Sequence, residues 1–201
     1  MANSIQIPNN QKQVPVINPA LFTVWLLIVA SIMLFAAFCS AYIVHQTDGQ
    51  LNNNWKEFAL PLEFWLSGGI VILTSVFIEW AFQAAKKDNI NILPALFTIT
   101  MILALAFCLS QWFGIQEMIS KGLFFRNENS DEISSSFVYV FVGVHVVHIF
   151  FGICLLFAGI FKSAKLKIHK KNLLFITICK TYWHFLGILW LYLLLFLYFA
   201  K

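Results

Sequence analysis

The sequence predicts an all-α integral membrane protein, a bundle of five transmembrane helices. Of its 201 residues, 60% are hydrophobic and 11% are charged, whereas a soluble domain carries roughly 25% charged residues. A soluble globule could not cover its surface with so few charges. A transmembrane helix needs about 20 mostly apolar residues, and five stretches meet this requirement. They run approximately over residues 21–44, 62–84, 93–116, 137–161 and 175–199.

The chain divides into a short tail and one apolar domain. Residues 1–20 contain three prolines and several Asn and Gln side chains, which predicts a flexible N-terminal tail. Residues 21–201 are then expected to form a single five-helix transmembrane domain. The first span is too long, and lies too far inside the chain, for a cleaved signal peptide, and it lacks a preceding basic region.

The distribution of lysines predicts the orientation in the membrane. The connection after span two contains Lys86 and Lys87, and the connection after span three is mostly acidic. The connection after span four contains Lys162, Lys165, Lys167, Lys170 and Lys171. Because basic loops remain cytoplasmic, we expect the N-terminus in the cytoplasm and the C-terminus in the periplasm. Tryptophans lie near the span ends, as expected for an interfacial aromatic belt: Trp25, Trp65, Trp80 and Trp112.

Composition and motifs exclude several function classes. The formal charge of +4 is too small and too dispersed for a nucleic-acid-binding surface. The four cysteines lie in four different spans without CxxC spacing, so we expect small buried side chains rather than disulfides or a zinc site: Cys39, Cys108, Cys154 and Cys179. Searches for a nucleophile elbow, a phosphate-binding glycine loop and an HExxH motif find none in the sequence.

Three histidines and the carboxylate of Glu79 fall within the apolar spans. His145 and His148 lie three residues apart on one face of span four, at depths of about 12 and 16 Å when counted at 1.5 Å per residue. His184 lies about 13 Å from the opposite side by the same count. Three imidazoles near one depth leave a metal or haem site open, but we favour histidines that bond between helices or to lipid. Glu79 is expected to be an interfacial carboxylate near Lys86 and Lys87, or else to serve a protein contact or a proton entrance.

Small residues recur at helical spacing in spans one and four. Such residues let membrane helices approach closely, so we expect a chain that forms a compact bundle or docks on one. They are Ala30, Ala37 and Ala41 in span one, and Gly143, Gly152 and Gly159 in span four.

Short motifs in each region of the chain resemble those of subunit III of haem-copper terminal oxidases. The C-terminal span contains Tyr182-Trp183-His184-Phe185 and then Trp190-Leu191-Tyr192, and span four contains Gly143-Val144-His145-Val146-Val147-His148, similar to the family element Thr-Gly-x-His-Gly-x-His. Further matching pieces are Trp25-Leu26-Leu27-Ile28 and Met33-Leu34-Phe35-Ala36 in span one, Leu60-Pro61 before span two, Gln111 and Gly114 in span three, and Gly122-Leu123-Phe124 after it. The similarity extends from about Leu21 to Phe199, and the chain resembles the five-span form found in bacterial quinol oxidases.

The resemblance implies an accessory subunit in a respiratory complex that reduces oxygen and pumps protons. Such a subunit would stabilise catalytic subunit I, which would hold the haem and copper, and would bind phospholipid. Subunit II, small subunits or a larger respiratory assembly would be further partners, in a bacterial cytoplasmic (inner) membrane. No catalytic, cofactor-binding or metal-binding residue is implied in this chain. The residues expected to make structural, lipid or subunit contacts are Gln111, His145, His148, Trp183, His184 and Trp190.

Two positions depart from the family pattern. The family usually carries a membrane-embedded Glu in the span-one motif and an Asp two residues after Trp-His-Phe. Here Ser31 and Gly187 stand at those positions. A proton relay through this subunit is therefore not expected, whereas a supporting role needs only packing.

Three hypotheses follow. The first is the non-catalytic oxidase subunit, and the second is an accessory subunit of nitric oxide reductase, in which similar short relatives occur. The third is a self-sufficient quinone- or metal-binding membrane enzyme that uses His145, His148 and His184; a small transporter or assembly factor is a more remote option. In addition, the five lysines after span four are expected either to contact anionic lipid headgroups or only to set the topology.

Overall fold

Five long α-helices make up most of the described part of the chain. The computed structural model describes residues 18–51, 60–123, 125, 133–170 and 172–200. The helices are α1 (Pro19–Leu51), α2 (Leu62–Lys86), α3 (Leu93–Ser120), α4 (Ile133–Ala164) and α5 (Leu174–Phe199), and one turn of 3₁₀ helix (Ile90–Ile92) precedes α3. All five are long and apolar enough to cross a membrane, which confirms the predicted fold class. Lys171 and most of the predicted N-terminal tail lie outside the described residues.

Helix α1 is longer than the predicted span. Its 33 residues extend about 50 Å at 1.5 Å per residue, compared with a hydrocarbon core of about 30 Å. The prediction ended this span at Val44, the last residue of the apolar run. The helix continues through polar residues such as Thr47 and Asp48, which are exposed. Hydropathy marks where the lipid-compatible part ends, and the helical backbone does not have to end there.

Helices α2, α3 and α4 end in the same hydrogen-bonded turn, in which one residue adopts a left-handed conformation. These residues are Asp88 (φ 60°), Gly122 (φ 77°) and Leu166 (φ 53°). After α3, Gly122 N donates to Ile119 O over 3.0 Å and Leu123 N donates to Met118 O over 3.0 Å. This pair of bonds is the Schellman motif, which satisfies the last carbonyls of a helix.

The helices pack through aromatic side chains that fill spaces left by glycine. A Cβ at Gly159 of α4 would lie 2.5 Å from the Phe97 ring of α3, and one at Gly152 would lie 3.1 Å from Leu186 of α5. The predicted close packing of span four is therefore found at Gly152 and Gly159. Gly143 is different, because it is exposed and a Cβ there would meet nothing within 4 Å.

Helix α1 packs against α4 and α5 and is the least buried helix. Five of its 33 residues are buried, compared with eleven of 26 in α5. Its buried face is made of Ile28, Ser31, Phe35, Cys39 and Tyr42. Ala30 and Ala37 lie on the exposed side of this helix, so they do not pack between helices of this chain. A lipid-facing surface is as apolar as a packed one, so residue size alone does not distinguish the two.

The two lysine-containing connections meet at one end of the bundle. Lys170 N, in the connection between α4 and α5, donates to Asp88 Oδ1, in the connection between α2 and α3, over 3.2 Å. We call this the lysine-rich end, defined by Lys86, Lys87, Lys162, Lys165, Lys167 and Lys170.

Candidate functional site

Trp190 of α5 connects three other helices at the centre of the bundle. Its indole Nε1 donates a hydrogen bond to the Ser67 hydroxyl of α2 over 2.9 Å. Its ring stacks on the His145 imidazole of α4, with centroids 5.1 Å apart and planes at 25°. Phe107 of α3 meets the indole edge-on at 5.4 Å. All four side chains are buried, so this cluster fixes the relative positions of α2, α3, α4 and α5.

His148, one turn further along α4, bonds to a different helix. Its Nδ1 lies 2.8 Å from the Val144 carbonyl oxygen, and its Nε2 lies 3.0 Å from the Ser31 hydroxyl of α1. Because a carbonyl can only accept, Val144 takes a hydrogen from Nδ1, and Leu27 takes one from the Ser31 hydroxyl over 2.8 Å. The donor in the contact between Ser31 and Nε2 therefore depends on the tautomer of the ring and on the rotation of the hydroxyl. Tyr182 of α5 donates to the backbone carbonyl of His148 over 2.9 Å. His148 thus joins α4 to both α1 and α5.

Glu79 forms an ion pair between α2 and α5. Its Oε2 lies 2.7 Å from Lys180 Nζ and 3.3 Å from His184 Nε2. The Gln83 amide donates to its Oε1 over 2.9 Å. Between a quarter and just over a third of the surface of the three ionisable side chains is exposed: 36% for Glu79, 27% for Lys180 and 32% for His184. The group therefore faces the outer surface of the bundle rather than its centre.

Lys180 is the functional residue that the sequence analysis missed. The expected cationic neighbours of Glu79 were Lys86 and Lys87, but the structure brings Lys180 to the carboxylate. Glu79 lies seven residues before the end of α2, and Lys180 lies six residues after the start of α5. Both are therefore about 10 Å from the lysine-rich end at 1.5 Å per residue. A lysine inside an apolar span is expected to pair with an opposite charge at the same depth. The position of Lys180 within the fifth apolar run could therefore have indicated this pairing from the sequence.

Gln111 and Trp183 are buried but carry polar atoms that have no hydrogen-bond partner among the described residues. Both amide atoms of Gln111 and the indole Nε1 of Trp183 belong to this group, as do both ring nitrogens of His145. Gln111 is 2% exposed and Trp183 5%. The Trp183 ring packs against the position of Gly152.

The lysines after α4 have different surroundings. Lys162 Nζ lies 3.9 Å from the centroid of the Phe175 ring. Lys162 and Lys167 line a surface pocket of about 290 Å³ together with Asn172, Phe175 and four apolar residues. Lys165 and Lys170 are exposed and do not line this pocket. The sequence prediction grouped all five lysines, and the structure brings two of them to one pocket.

The three histidines do not converge. His145 stacks on Trp190, His148 bonds to Ser31, and His184 bonds to Glu79 on the outer surface. Within the described parts of the chain, no group of three His, Cys, Asp or Glu side chains is placed to hold a metal ion. The geometry therefore gives no support to the hypothesis of a self-sufficient metal enzyme.

The fold and these contacts define a multi-helix integral membrane protein whose intramembrane polar groups bind helices to one another. The chain belongs to the cytochrome c oxidase subunit III family, whose sequence profile matches residues 9–201. It is therefore a membrane subunit that associates with other subunits of an oxidase.

Curated relatives from bacteria and animals agree with this assignment. The chain is 26% identical over 182 residues to cytochrome bo(3) ubiquinol oxidase subunit 3 of Buchnera aphidicola from Schizaphis graminum, covering 90% of this chain and 94% of that protein. It is 24% identical over 173 residues to cytochrome c oxidase subunit 3 of Corynebacterium diphtheriae, covering 85% and 82% respectively. The rat cytochrome c oxidase subunit 3 is 27% identical over 185 residues, which is 86% of this chain and 66% of the rat protein.

Ser31 and Gly187 both lie beside histidines. Ser31 bonds to His148, and Gly187 lines an internal cavity together with His145.

Proposed function

We propose that this chain is the non-catalytic subunit III of a bacterial respiratory haem-copper oxidase and that it stabilises catalytic subunit I. The observation that supports this role best is the use of its intramembrane polar groups. Ser31 bonds to His148, Trp190 to Ser67, and Glu79 to Lys180, and each bond joins two helices. These side chains make a stable bundle and do not surround a reaction centre.

The haem and copper of such a complex would belong to subunit I, and subunit II and phospholipids would be further partners. This chain supports oxygen reduction and proton pumping by packing. A proton path through its own carboxylates is not part of the proposal, because Ser31 and Gly187 carry no ionisable group.

The test of this role is purification of the native assembly through an affinity tag on this chain. We expect a haem-bearing membrane subunit to co-purify, with a reduced-minus-oxidised haem spectrum and bound copper. Deletion of the gene should leave an oxidase that loses activity faster during turnover. If no haem-bearing protein accompanies the tagged chain, the proposal is wrong.

We further propose that the N-terminus is cytoplasmic, the C-terminus periplasmic, and residues 21–201 one transmembrane domain in the inner membrane. The position of Lys86 and Lys87 at the same end as the lysines after α4 supports this orientation, since lysine-rich loops stay in the cytoplasm. Alkaline phosphatase fused after Lys201 should be active in the periplasm, and a green fluorescent protein fusion at the same site should be dark when exported by the general secretory route. The opposite pair of results would reverse the orientation.

The lysine-rich end is proposed to bind an anionic phospholipid. Lys162 and Lys167 present two cations to one pocket, and Asn172, which also lines it, carries an amide group. Each lysine near an anionic membrane surface contributes about 1 kcal/mol of attraction. The apolar lining, which includes Phe175 and Ile178, suits the glycerol and upper acyl region below the phosphate.

Replacement of the lysine in the last turn of α4 and of the four lysines after it by glutamine tests this lipid site; these residues are Lys162, Lys165, Lys167, Lys170 and Lys171. We expect the purified assembly to retain less anionic phospholipid, as measured by mass spectrometry of extracted lipids. Lys162→Gln with Lys167→Gln should account for most of the loss. Lys86→Gln with Lys87→Gln is the matched control, since those residues lie at the same end but outside the pocket. Equal lipid content in all variants would show that the lysines only set the topology.

A further inference from the structure

A small cavity lies inside the bundle where four helices meet. It is lined by Val71 and Thr74 of α2, Ala104 and Phe107 of α3, His145 and Ile149 of α4, and Trp183, Leu186 and Gly187 of α5. The space open to the centre of a water-sized sphere is about 10 Å³. A space of roughly 10–15 Å³ by this measure holds one water molecule, so the cavity is too small for a lipid chain or an organic cofactor.

Two polar side chains that line this cavity carry atoms without a partner among the described residues. They are His145, with both ring nitrogens, and Trp183, with its indole Nε1. His145 is 1% exposed and Trp183 5%. A buried polar group left without a hydrogen bond costs about 1–3 kcal/mol, and the penalty is greater in hydrocarbon, where no solvent water can approach.

A third polar group completes the set. Thr74 lines the same cavity and donates its hydroxyl hydrogen to the Val71 carbonyl over 2.7 Å. Its oxygen therefore keeps lone pairs that can accept. Trp183 Nε1 can only donate, and a neutral imidazole offers one donor and one acceptor nitrogen. The cavity thus contains the Trp183 N–H as a donor, the Thr74 oxygen as an acceptor, and the His145 ring, which can donate or accept.

We propose that this cavity is the binding site of a single ordered water molecule, held by Trp183 Nε1, one imidazole nitrogen of His145 and the Thr74 hydroxyl. Water accepts from the indole N–H and donates to Thr74, and its second hydrogen or second lone pair serves His145. Buried waters in proteins make about three hydrogen bonds of this kind. The site links α2, α4 and α5 at a point where no direct side-chain bond among the described residues satisfies these atoms.

The neighbouring side chains explain why a water molecule, and not a larger or charged group, fits there. A Cβ at Gly187 would lie 2.9 Å from Val71 Cγ1 and 3.2 Å from Ser75 Oγ, so this wall of the cavity has no room for a side chain without a shift of Val71. The described residues place no carboxylate in the lining. An apolar gas molecule would leave Trp183 Nε1 and the His145 ring nitrogens without a hydrogen bond.

The experiment uses the native membrane assembly purified through a tag on this chain, imaged by cryo-electron microscopy at a resolution that shows ordered water elsewhere. We expect a discrete peak within hydrogen-bond distance of at least two of the three groups. Radiolytic footprinting on the same sample should oxidise Trp183 several-fold faster than Trp190, because bound water produces hydroxyl radicals locally. Trp190 is the matched control, since it is buried and its Nε1 is already bonded to Ser67.

Two variants separate the water site from simple packing. Trp183→Phe removes the donor and keeps a ring, and Thr74→Val removes the acceptor at nearly constant volume. Each should abolish or weaken the peak while the assembly still purifies intact, and Thr74→Val should also reduce the preferential oxidation of Trp183. Absence of the peak in the parent protein, elongated density, or a peak that persists unchanged in both variants would overturn the proposal. The inference does not depend on which oxidase subunits accompany this chain.

Discussion

The His148 imidazole of α4 and the Ser31 hydroxyl of α1 form a hydrogen bond of 3.0 Å across the interface between their helices. These residues are 117 positions apart in the sequence. The bond is important for α1 because that helix has few buried residues. A polar bond therefore contributes a larger share of its attachment than it would in α2 or α5.

Ser31→Ala should weaken the attachment of α1. The variant leaves His148 Nε2 without the Ser31 hydroxyl, and hydrogen bonds between membrane helices contribute about 0.6–1.7 kcal/mol. We expect a lower midpoint for heat- or detergent-induced dissociation of the purified assembly. Ser40→Ala is the control, because Ser40 lies on the exposed side of the same helix. Equal effects of the two substitutions would show that the Ser31 bond makes no specific contribution.

Glu79 and Lys180 should show energetic coupling in a double-mutant cycle. With Glu79→Gln, Lys180→Gln and the double variant, we expect a coupling of roughly 1 kcal/mol, since a third-exposed pair is partly screened by solvent. The readout is the free energy of unfolding in detergent at two salt concentrations. A second cycle between Glu79 and Lys86 should give a coupling near zero. Stronger coupling to Lys86 would restore the pairing that the sequence first indicated.

Two glycines of the same helix should respond oppositely to alanine. Gly159→Ala places a methyl group 2.5 Å from the Phe97 ring and should destabilise the bundle by about 1–3 kcal/mol through overpacking. Gly143→Ala meets nothing within 4 Å and should stabilise the helix by about 0.5–1 kcal/mol. Thermal unfolding of the two variants checks both signs. A loss of stability at Gly143 would instead reveal that this exposed surface is covered by another subunit.

Leu166→Gly should stabilise the end of α4. Leu166 adopts φ 53°, a conformation that costs an L-residue about 1–2 kcal/mol and that glycine adopts without this penalty. Its side chain is 56% exposed, so little packing is lost. We expect a gain of up to about 1 kcal/mol, measured as slower proteolysis of the connection between α4 and α5 and a higher unfolding midpoint.

Asp88→Gly is the informative comparison for that variant. It relieves a similar φ of 60° but removes the carboxylate oxygen that accepts from Lys170 N. The two effects oppose each other, so its stability should stay close to that of the parent protein. A gain as large as that of Leu166→Gly would show that the bond between the two connections is weak.

Much of the fold follows from the sequence, because the length and hydropathy of each apolar run determine how many helices can cross a membrane. The inward direction of each helix does not follow in the same way. Ala30 and Ala37 lie on the outside of α1. Because lipid is as apolar as the protein interior, the sequence alone does not distinguish them from buried residues. The contact of Gly159 with Phe97 likewise depends on a neighbour 62 residues away, and helical spacing alone does not reveal it.

Some features of the candidate site also follow from the sequence, whereas others depend on how the helices pack. The three-residue spacing of His145 and His148 predicts one helical face, and the exclusion of charge from lipid predicts that Glu79 has a partner. The choice between Lys180 and Lys86 depends on which helix lies beside α2. Packing decides this, and Lys180 reaches the carboxylate from α5. The stack of His145 on Trp190 likewise needs α4 and α5 to be adjacent.

The polar attachments of α1 also set an order for biogenesis. Two of its hydroxyl-containing residues bond to partners made much later in translation: Ser31 to His148, and Tyr42 to the carbonyl of Ala200. Because α1 is translated before α4 and α5, it must wait in the bilayer until both of these helices have been inserted. Its docking is a late step of assembly, and a truncated chain that lacks α5 would leave α1 without its final anchor.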